Sequence, residues 1–325
     1  MRSSMNILYI GPILPEYVAI MKALLPQGYQ LEVAESGSPV VWERVGEAHF
    51  LLALAPITEE IIRAAEKVRL IQVIGAGYDK IDVKAAHRAG ILVATTGGAN
   101  AVSVAEHALA LILTLYRRIP YAHHSVKAGK WPQFALYQGG VFELSGKTLG
   151  LIGFGHTGQA LARLVQGFDV RVLYYRRHRL PPDQERALGA SYATLEDLLR
   201  QADIVSLHVP LTDQTRRLIG RKELGLMKKS AILINTSRGR VVDEEALIEW
   251  LSSGRIAGAG LDVFHQEPID PHSPLLKLDN VVLTPHMAGA SEEAVRRTFE
   301  AAFANVVRVA AGQQPANVVR LRERQ

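Results

Sequence analysis

Gly153-Phe154-Gly155-His156-Thr157-Gly158 decides the reading of the chain, because of what flanks it. The apolar run Thr148 to Gly153 leads into it, a helical pattern from Gln159 to Gln166 leaves it, and a second strand follows at Arg171 to Tyr175. Strand, glycine turn, helix and strand in that order make a GxGxxG a signal for dinucleotide binding; alone it is a glycine-rich βα turn. Gly153 permits the tight turn, Gly155 lets the backbone approach a pyrophosphate, and Gly158 lets the helix sit close to the strand. The helix N-terminus adds free N–H groups and a positive dipole end, with His156 and Thr157 beside the phosphates.

Outward from this unit, short apolar runs alternate with helical patterns, which predicts α/β architecture with helices on both faces of parallel sheets. Before the turn, Ile7 to Ile10, Phe50 to Ala53, Leu70 to Ile74 and Ile91 to Ala94 read as strands, separated by helices near Pro15 to Leu25, Thr58 to Ala65 and Asp82 to Ala89. A long helix from about Ala101 to Arg118 follows, then a Pro/Gly-punctuated stretch, Lys127 to Gly146, that reads as an interdomain connection. After Arg171 to Tyr175, strands recur at Ile204 to His208, Ala231 to Asn235, Ala257 to Leu261 and Val281 to Leu283, so six strands are expected in the second sheet. A last helix, about Ser291 to Ala311, has a tail that can pack back on the first domain. A chain of 325 residues suits two domains and a cleft.

Composition narrows the classes. The 48% apolar and 21% charged shares are those of an ordinary globular chain. With no cysteine, disulfides, thiol nucleophiles and cysteine-ligated metals are excluded, which makes the cytoplasm the default. The most apolar stretch, Ala108 to Leu115, falls far short of the ~20 residues a membrane helix needs. Met1 to Met5 leads straight into a strand-like segment, so no export signal is expected. A net charge of +5 could suit nucleic acid, but the basic residues are scattered without an aromatic-interleaved stripe, so neither nucleic acid nor membrane is an expected partner. The tightest basic cluster, Arg176-Arg177-His178-Arg179, follows the second strand of the glycine-turn unit.

Three further segments, Asn235-Thr236-Ser237-Arg238-Gly239, Gly260-Leu261-Asp262-Val263-Phe264 leading to Glu267-Pro268, and Thr284-Pro285-His286, join the glycine turn in a pattern that closely resembles the D-isomer-specific 2-hydroxyacid dehydrogenase family. Gly75-Ala76-Gly77-Tyr78-Asp79 and Val104-Ala105-Glu106-His107 extend the likeness over nearly the whole chain. Thr157, where an aliphatic residue is common, and Gly97, where proline often stands, depart from it. The resemblance implies two doubly wound parallel-sheet domains: a Rossmann cofactor domain at 104–290, inserted into a flavodoxin-like substrate domain formed by 1–103 and 291–325. It also implies a homodimer, for which the apolar Ala101 to Tyr116 and the aromatic Trp131, Phe134 and Tyr137 look suited.

Reducing a ketone by hydride places charge on oxygen, so the site needs a proton donor and a cation there. By the resemblance, His286 is the acid, and Glu267 hydrogen-bonds its other ring nitrogen, orienting it and favouring its protonated form. Arg238 spans substrate carboxylate and carbonyl with its planar fork, which lysine cannot copy. Singly these are a histidine at a helix start, a Glu-Pro turn and a surface arginine; together, after three strands of one sheet, they converge. His107, His123, His124, His208 and His265 lack such a context and read as structural, and no metal site is expected. The resemblance assigns Asp262 to the nicotinamide carboxamide, its alternative being a buried aspartate that accepts from backbone donors. It adds Val104, Pro210, Thr236 and Gly289 to the cofactor contacts, and Leu54, Ala76 and Gly77 to the substrate contacts.

The loop Leu54-Ala55-Pro56-Ile57-Thr58 is apolar where phosphoglycerate-oxidising relatives carry arginine and serine. Ala76 stands for the lysine of phosphite-oxidising relatives, and Glu267 for the glutamine of formate-oxidising ones. A small uncharged 2-oxoacid such as glyoxylate or hydroxypyruvate, or the matching 2-hydroxyacid, is the expected substrate. A dinucleotide-sensing, peptide-binding corepressor with little turnover is the alternative class. The acid that hydrogen-bonds the ribose of NAD stands at the end of the second strand of such folds; here Arg176 and Arg177 occupy that place, with no acid before Asp183. NADP(H) is therefore the expected cofactor, with NAD(H) possible and Arg179 a lesser contact.

Overall fold

The computed structural model describes residues 4–320. The chain divides into two compact units, one formed by the chain up to Asn100 with the stretch from Ala290 onward, the other by Ala101–Gly289.

In the first unit, β1 (Met5–Ile10), β2 (Tyr29–Ala34), β3 (Phe50–Ala53), β4 (Leu70–Val73) and β5 (Leu92–Ala94) form a parallel sheet in the order β2-β1-β3-β4-β5. This is the flavodoxin-like order, in which the direction of winding reverses beside β1. Every residue of β3 and β4 is buried, because helices cover both faces and a continuous apolar run has no solvent side. Leu8, Leu51 and Ile71 pack on Ile57, Ile62 and Val41 on one face. Ile7, Tyr9, Phe50 and Leu52 meet Phe299, Phe303 and Val306 of the helix Glu292–Ala310 on the other. Burying a side chain such as Phe299 is worth roughly 1.5–3 kcal/mol, which explains why the end of the chain returns to this sheet. A pair of buried amides fixes the following tail: Asn305 donates to Gln72 Oε1 at 2.8 Å and accepts from Ala316 N at 2.7 Å.

The departure at Gly97 has a steric cause in this tail. A Cβ on Gly97 would lie 2.5 Å from the Asn317 side chain, so a proline ring is shut out by the segment that follows the last helix.

In the second unit, β6 (Thr148–Ile152), β7 (Arg171–Tyr175), β8 (Ala190–Tyr192), β9 (Ile204–Leu207), β10 (Ile232–Asn235), β11 (Gly258–Leu261) and β12 (Val281–Leu283) form a parallel sheet in the order β12-β11-β10-β9-β6-β7-β8. Counted within the unit, the strands from β8 inward run 3-2-1-4-5-6-7, the Rossmann order with one strand added. The switch point lies between β6 and β9, at the carboxyl ends where the glycine turn sits.

Three expectations need correction. The second sheet has seven strands, because the three-residue edge strand β8 carries too little apolar sequence to signal itself. β2 adds a strand to the expected set: Tyr-Gln-Leu-Glu-Val alternates between half-buried and exposed positions at an edge before buried Ala34, instead of forming an apolar run. The stretch Lys127 to Gly146 is not an interdomain connection, since it lies inside the second unit and contains the short helix Gln133–Tyr137. The helix Ala101–Tyr116 buries Ala105, Ala108, Leu111 and Ile112 against Leu149, Leu151 and Ile234 of its own unit. On its other side Val102, Glu106 and Ala110 are exposed. No helix among the described residues is long and apolar enough to cross a membrane.

Candidate active site

The glycine turn leaves β6 with Gly153 at φ +95°, where a Cβ would meet the backbone of His208 at 2.6 Å. Both conditions demand glycine. A Cβ on Gly158 would strike Gly153 O at 2.4 Å, so the third glycine closes helix onto turn. Gly155 is different: the direction of its missing Cβ is open, and it precedes the helix His156–Leu164 without a side-chain cap. An open backbone edge ending in uncapped N–H groups fits a dinucleotide pyrophosphate. His156 is exposed and Thr157 half-buried on this first turn. At the end of the neighbouring β7, Arg176 leans back and donates through Nη1 to Phe154 O at 3.4 Å, while Arg177 hydrogen-bonds Gln214. Arg179, by contrast, gives its fork to both oxygens of Glu185 at 2.9 and 2.8 Å.

The remaining chemistry follows three adjacent strands. Asn235↔Leu261 and Leu261↔Leu283 are in register, so the loops after β10, β11 and β12 leave one edge at strand spacings of about 4.8 Å. After β10, buried Asn235 shapes the turn: its Oδ1 accepts from Ser237 N at 3.0 Å and its Nδ2 donates to Arg238 O at 3.0 Å. The Arg238 guanidinium bonds Ser237 O at 2.9 Å. Thr236 Oγ1 is buried and has no hydrogen-bond partner among the described residues, leaving a hydroxyl available at the edge where a cofactor would lie. Gly239 lets this loop touch the next, since a Cβ there would fall 2.0 Å from Phe264 C.

After β11, Phe264 N donates to Glu267 Oε1 at 3.1 Å, which aims the second carboxylate oxygen at His286. Glu267 Oε2 and His286 Nδ1 are 2.7 Å apart. A carboxylate can only accept, so Nδ1 carries a proton and Nε2 is left as the working atom of a ring that is 45% exposed.

After β12, His286 itself has φ +52°, a conformation that costs a side-chain-bearing residue about 1–3 kcal/mol unless its surroundings impose it. Asp262, 1% exposed, does so. Its backbone O accepts from His286 N at 2.8 Å, Oδ1 from Met287 N at 2.9 Å and Thr284 Oγ1 at 2.7 Å, and Oδ2 from Ala288 N at 2.9 Å. Ser103 donates to Ala288 O at 2.7 Å, and His107 Nε2 lies 3.0 Å from Thr284 Oγ1. The threonine gives its single proton to Asp262, so His107 is the donor in that contact. The geometry shows Asp262 as a buried acceptor whose carboxylate is engaged by the loop that carries His286. Nothing local in the sequence marks Ser103 or Thr284 as supports, because their contacts with Ala288 and His107 span about 180 residues of chain.

His208 is held neutral, pushed down to about 4 by burial behind the glycine turn, and bonds Ser206 Oγ at 2.9 Å. His265 bonds Val242 O at 2.9 Å and His124 bonds Pro120 O at 2.7 Å. Val104, Thr236 and Gly289 are half-buried and Pro210 is exposed in the second unit. Leu54, Ala76 and Gly77 belong to the first unit, where they follow β3 and β4; Gly75 beside them is fixed by Thr96 Oγ1 at 3.0 Å. Leu54 is 37% exposed and Ala76 is exposed.

A Rossmann-ordered sheet, an open glycine turn at its switch point and an Arg, Glu and His set along the same edge define a dinucleotide-dependent oxidoreductase. Residues 109–288 match the family described as D-isomer specific 2-hydroxyacid dehydrogenase, NAD binding domain. The chain is 44% identical over 306 residues to a glyoxylate reductase of Korarchaeum cryptofilum, covering 91% of each chain. It is 42% identical over 310 residues to one of Aeropyrum pernix, again covering 91% of each. A solved glyoxylate reductase from Paecilomyes thermophila superposes with a TM-score of 0.83 at 31% identity, covering 98% of this chain and 99% of that one. This chain belongs to the D-isomer-specific 2-hydroxyacid dehydrogenase family, the NAD(P)-dependent oxidoreductases that interconvert 2-oxoacids and D-2-hydroxyacids.

Proposed function

We propose that this enzyme is an NADPH-preferring reductase of a small uncharged 2-oxoacid such as glyoxylate or hydroxypyruvate, and oxidises the corresponding D-2-hydroxyacid in reverse. The observation that carries it is the 2.7 Å contact of Glu267 with His286 Nδ1, which leaves Nε2 facing outward on the strand edge that also bears Arg238.

The Arg238 fork holds the substrate carboxylate and polarises the carbonyl, so that charge developing on oxygen meets a fixed cation. Bound nicotinamide cofactor supplies the hydride. His286 Nε2–H delivers its proton to the same oxygen, and Glu267 stabilises the ring and fixes its tautomer while the proton leaves. In reverse, Nε2 takes the hydroxyl proton. Asp262 holds the loop that carries His286 and is assigned to the nicotinamide carboxamide. The second unit serves as the cofactor domain and the first as the substrate domain. Gly153, Gly155, His156, Thr157 and Gly158 serve the pyrophosphate, Val104, Pro210, Thr236 and Gly289 the rest of the dinucleotide, and Leu54, Ala76 and Gly77 the substrate. The 2-oxoacid is assigned from the glyoxylate reductase relatives and from the apolar loop at Leu54.

NADPH is favoured because Arg176 and Arg177 follow β7 where an acid would repel a 2′-phosphate, and Arg176 already reaches the glycine turn. The test is kcat/KM with NADPH and NADH at equal ionic strength: a preference for NADPH that reverses in Arg176→Asp supports the reading, and equal use of the two refutes it. Trp131, Phe134 and Tyr137, 75%, 73% and 73% exposed, are proposed to pack against a second copy in a cytoplasmic homodimer, for which the cysteine-free composition is suited. Light scattering that returns the 35.6 kDa mass of one chain at micromolar concentration rejects the dimer.

A further inference from the structure

The three arginines after β7 form one basic cluster in the sequence, yet they are held in different ways. Arg179 gives two parallel bonds to Glu185, whose side chain lies on the helix Pro182–Leu188 and is 8% exposed as a residue. Glu185 Oε1 also accepts from the Tyr174 hydroxyl at 2.6 Å, and that hydroxyl accepts from Leu180 N at 2.9 Å. Tyr174 is fully buried in β7, and its ring stacks on Phe154 of the glycine turn with centroids 4.2 Å apart and planes at 16°. Arg176 returns to the same turn through Phe154 O. A closed circuit thus runs from the glycine turn through Tyr174, Glu185 and Arg179 and back along the segment that carries Arg176 and Arg177. The guanidinium of Arg179, and then the Tyr174 hydroxyl, hold the Glu185 carboxyl down to about 2, so the circuit stays charged throughout the neutral range.

We propose that Tyr174, Glu185 and Arg179 are positioning residues for cofactor choice: they pin the downstream end of the basic turn so that Arg176 and Arg177 stand ready for a 2′-phosphate, and Arg179 is not itself a phosphate ligand. This rests on the reading of the 2′-phosphate site given above. Two physical arguments carry it. Drawing Arg179 away to a phosphate would leave the nearly buried Glu185 carboxylate without its cation, which is strongly unfavourable. A turn already fixed at both ends loses little conformational freedom on binding, and so keeps more of the affinity of its charge-assisted bonds.

The test is direct binding at one ionic strength, following NADPH and NADH by fluorescence, with 2′,5′-ADP and 5′-AMP as competitors. The proteins are the wild type, Glu185→Gln, Arg179→Ala, Arg179→Lys and the Glu185→Gln/Arg179→Ala double variant. The expected result is Kd for NADPH and 2′,5′-ADP raised about three- to tenfold in each alanine or glutamine single variant, with NADH and 5′-AMP changed less than about twofold. The double variant should be no worse than either single one, because both break the same link, and Arg179→Lys should fall between wild type and Arg179→Ala, since it keeps the charge without the fork. Arg179 is on the surface, so its variants carry the test even if Glu185→Gln fails to fold. Equal weakening of NADPH and NADH overturns the proposal in favour of a merely structural role. A loss in Arg179→Ala with none in Glu185→Gln, or additive losses, overturns it in favour of direct phosphate ligation. If the wild type prefers NADPH and every variant keeps that preference undiminished, the clamp alone fails; if the wild type shows no preference, the 2′-phosphate reading fails and takes the clamp with it.

Discussion

Gly239→Ala tests whether the contact between the Arg238 loop and the Glu267 loop governs the chemistry. The added Cβ would sit 2.0 Å from Phe264 C, 2.1 Å from Phe264 O and 2.6 Å from His265 N. All three are backbone atoms, so no side chain can rotate away. Since carbon atoms rest at about 3.5–4.0 Å, the loops must part by roughly 1.5 Å. Overpacking of this kind costs about 1–3 kcal/mol, which lowers Tm by roughly 2–12 °C in a unit of this size. Displacing Arg238 from Glu267 and His286 by more than an ångström should lower kcat/KM about 10²-fold. NADPH binding should weaken far less than kcat/KM, because the glycine turn follows β6, separated from β10 by β9, and of the displaced loop only Thr236 is assigned to the dinucleotide. Gly167→Ala is the control: its Cβ would meet nothing within 4 Å, and both Tm and kcat should stay at wild type. The assay is steady-state NADPH oxidation with glyoxylate beside a thermal melt. Wild-type kcat and Tm in Gly239→Ala would refute the close approach, and a lowered Tm with wild-type kcat would refute its link to catalysis.

Two further outcomes follow from the same geometry. In Asp262→Asn an amide N–H must face Ala288 N or Met287 N, and each faced pair loses a charge-assisted bond worth about 1.5–3 kcal/mol. Tm and kcat should fall together as His286 leaves φ +52°, and an unchanged melt would contradict the support role. Glu185 has a folded-state value near 2, below its ordinary 4.5, so the stability it contributes is fully present above about 4.5 and is lost as pH falls toward 2. Discounting for the exposed arginine partner leaves about 1–2 kcal/mol, and urea melts should show a shallower acid-side loss in Glu185→Gln than in wild type; identical slopes would count against the pair.

The parts of the fold that could be read from sequence are those whose signals are local. The glycine turn carries its own strand and helix beside it, and β3 and β4 announce themselves as apolar runs because both their faces are covered. β2 and β8 were missed because edge strands need only one buried face or a few paired residues. Arg238, Glu267 and His286 each stand in a recognisable local segment, so they could be named together. The devices that hold them could not: Ser103 reaches Ala288 and His107 reaches Thr284 only after the chain has folded. Arg179 illustrates the same limit, for it reads as one more cation until Glu185 is found beneath it.

The proposed role of His286 as proton donor in NADPH-dependent reduction of a small 2-oxoacid is tested directly by the turnover of glyoxylate by wild type and His286→Ala, with the NADPH Kd measured alongside. General acid catalysis is typically worth ~10²–10⁴-fold, so kcat should fall by that factor while the Kd changes less than about twofold. A His286→Ala variant that turns over glyoxylate at the wild-type rate would remove His286 from that role.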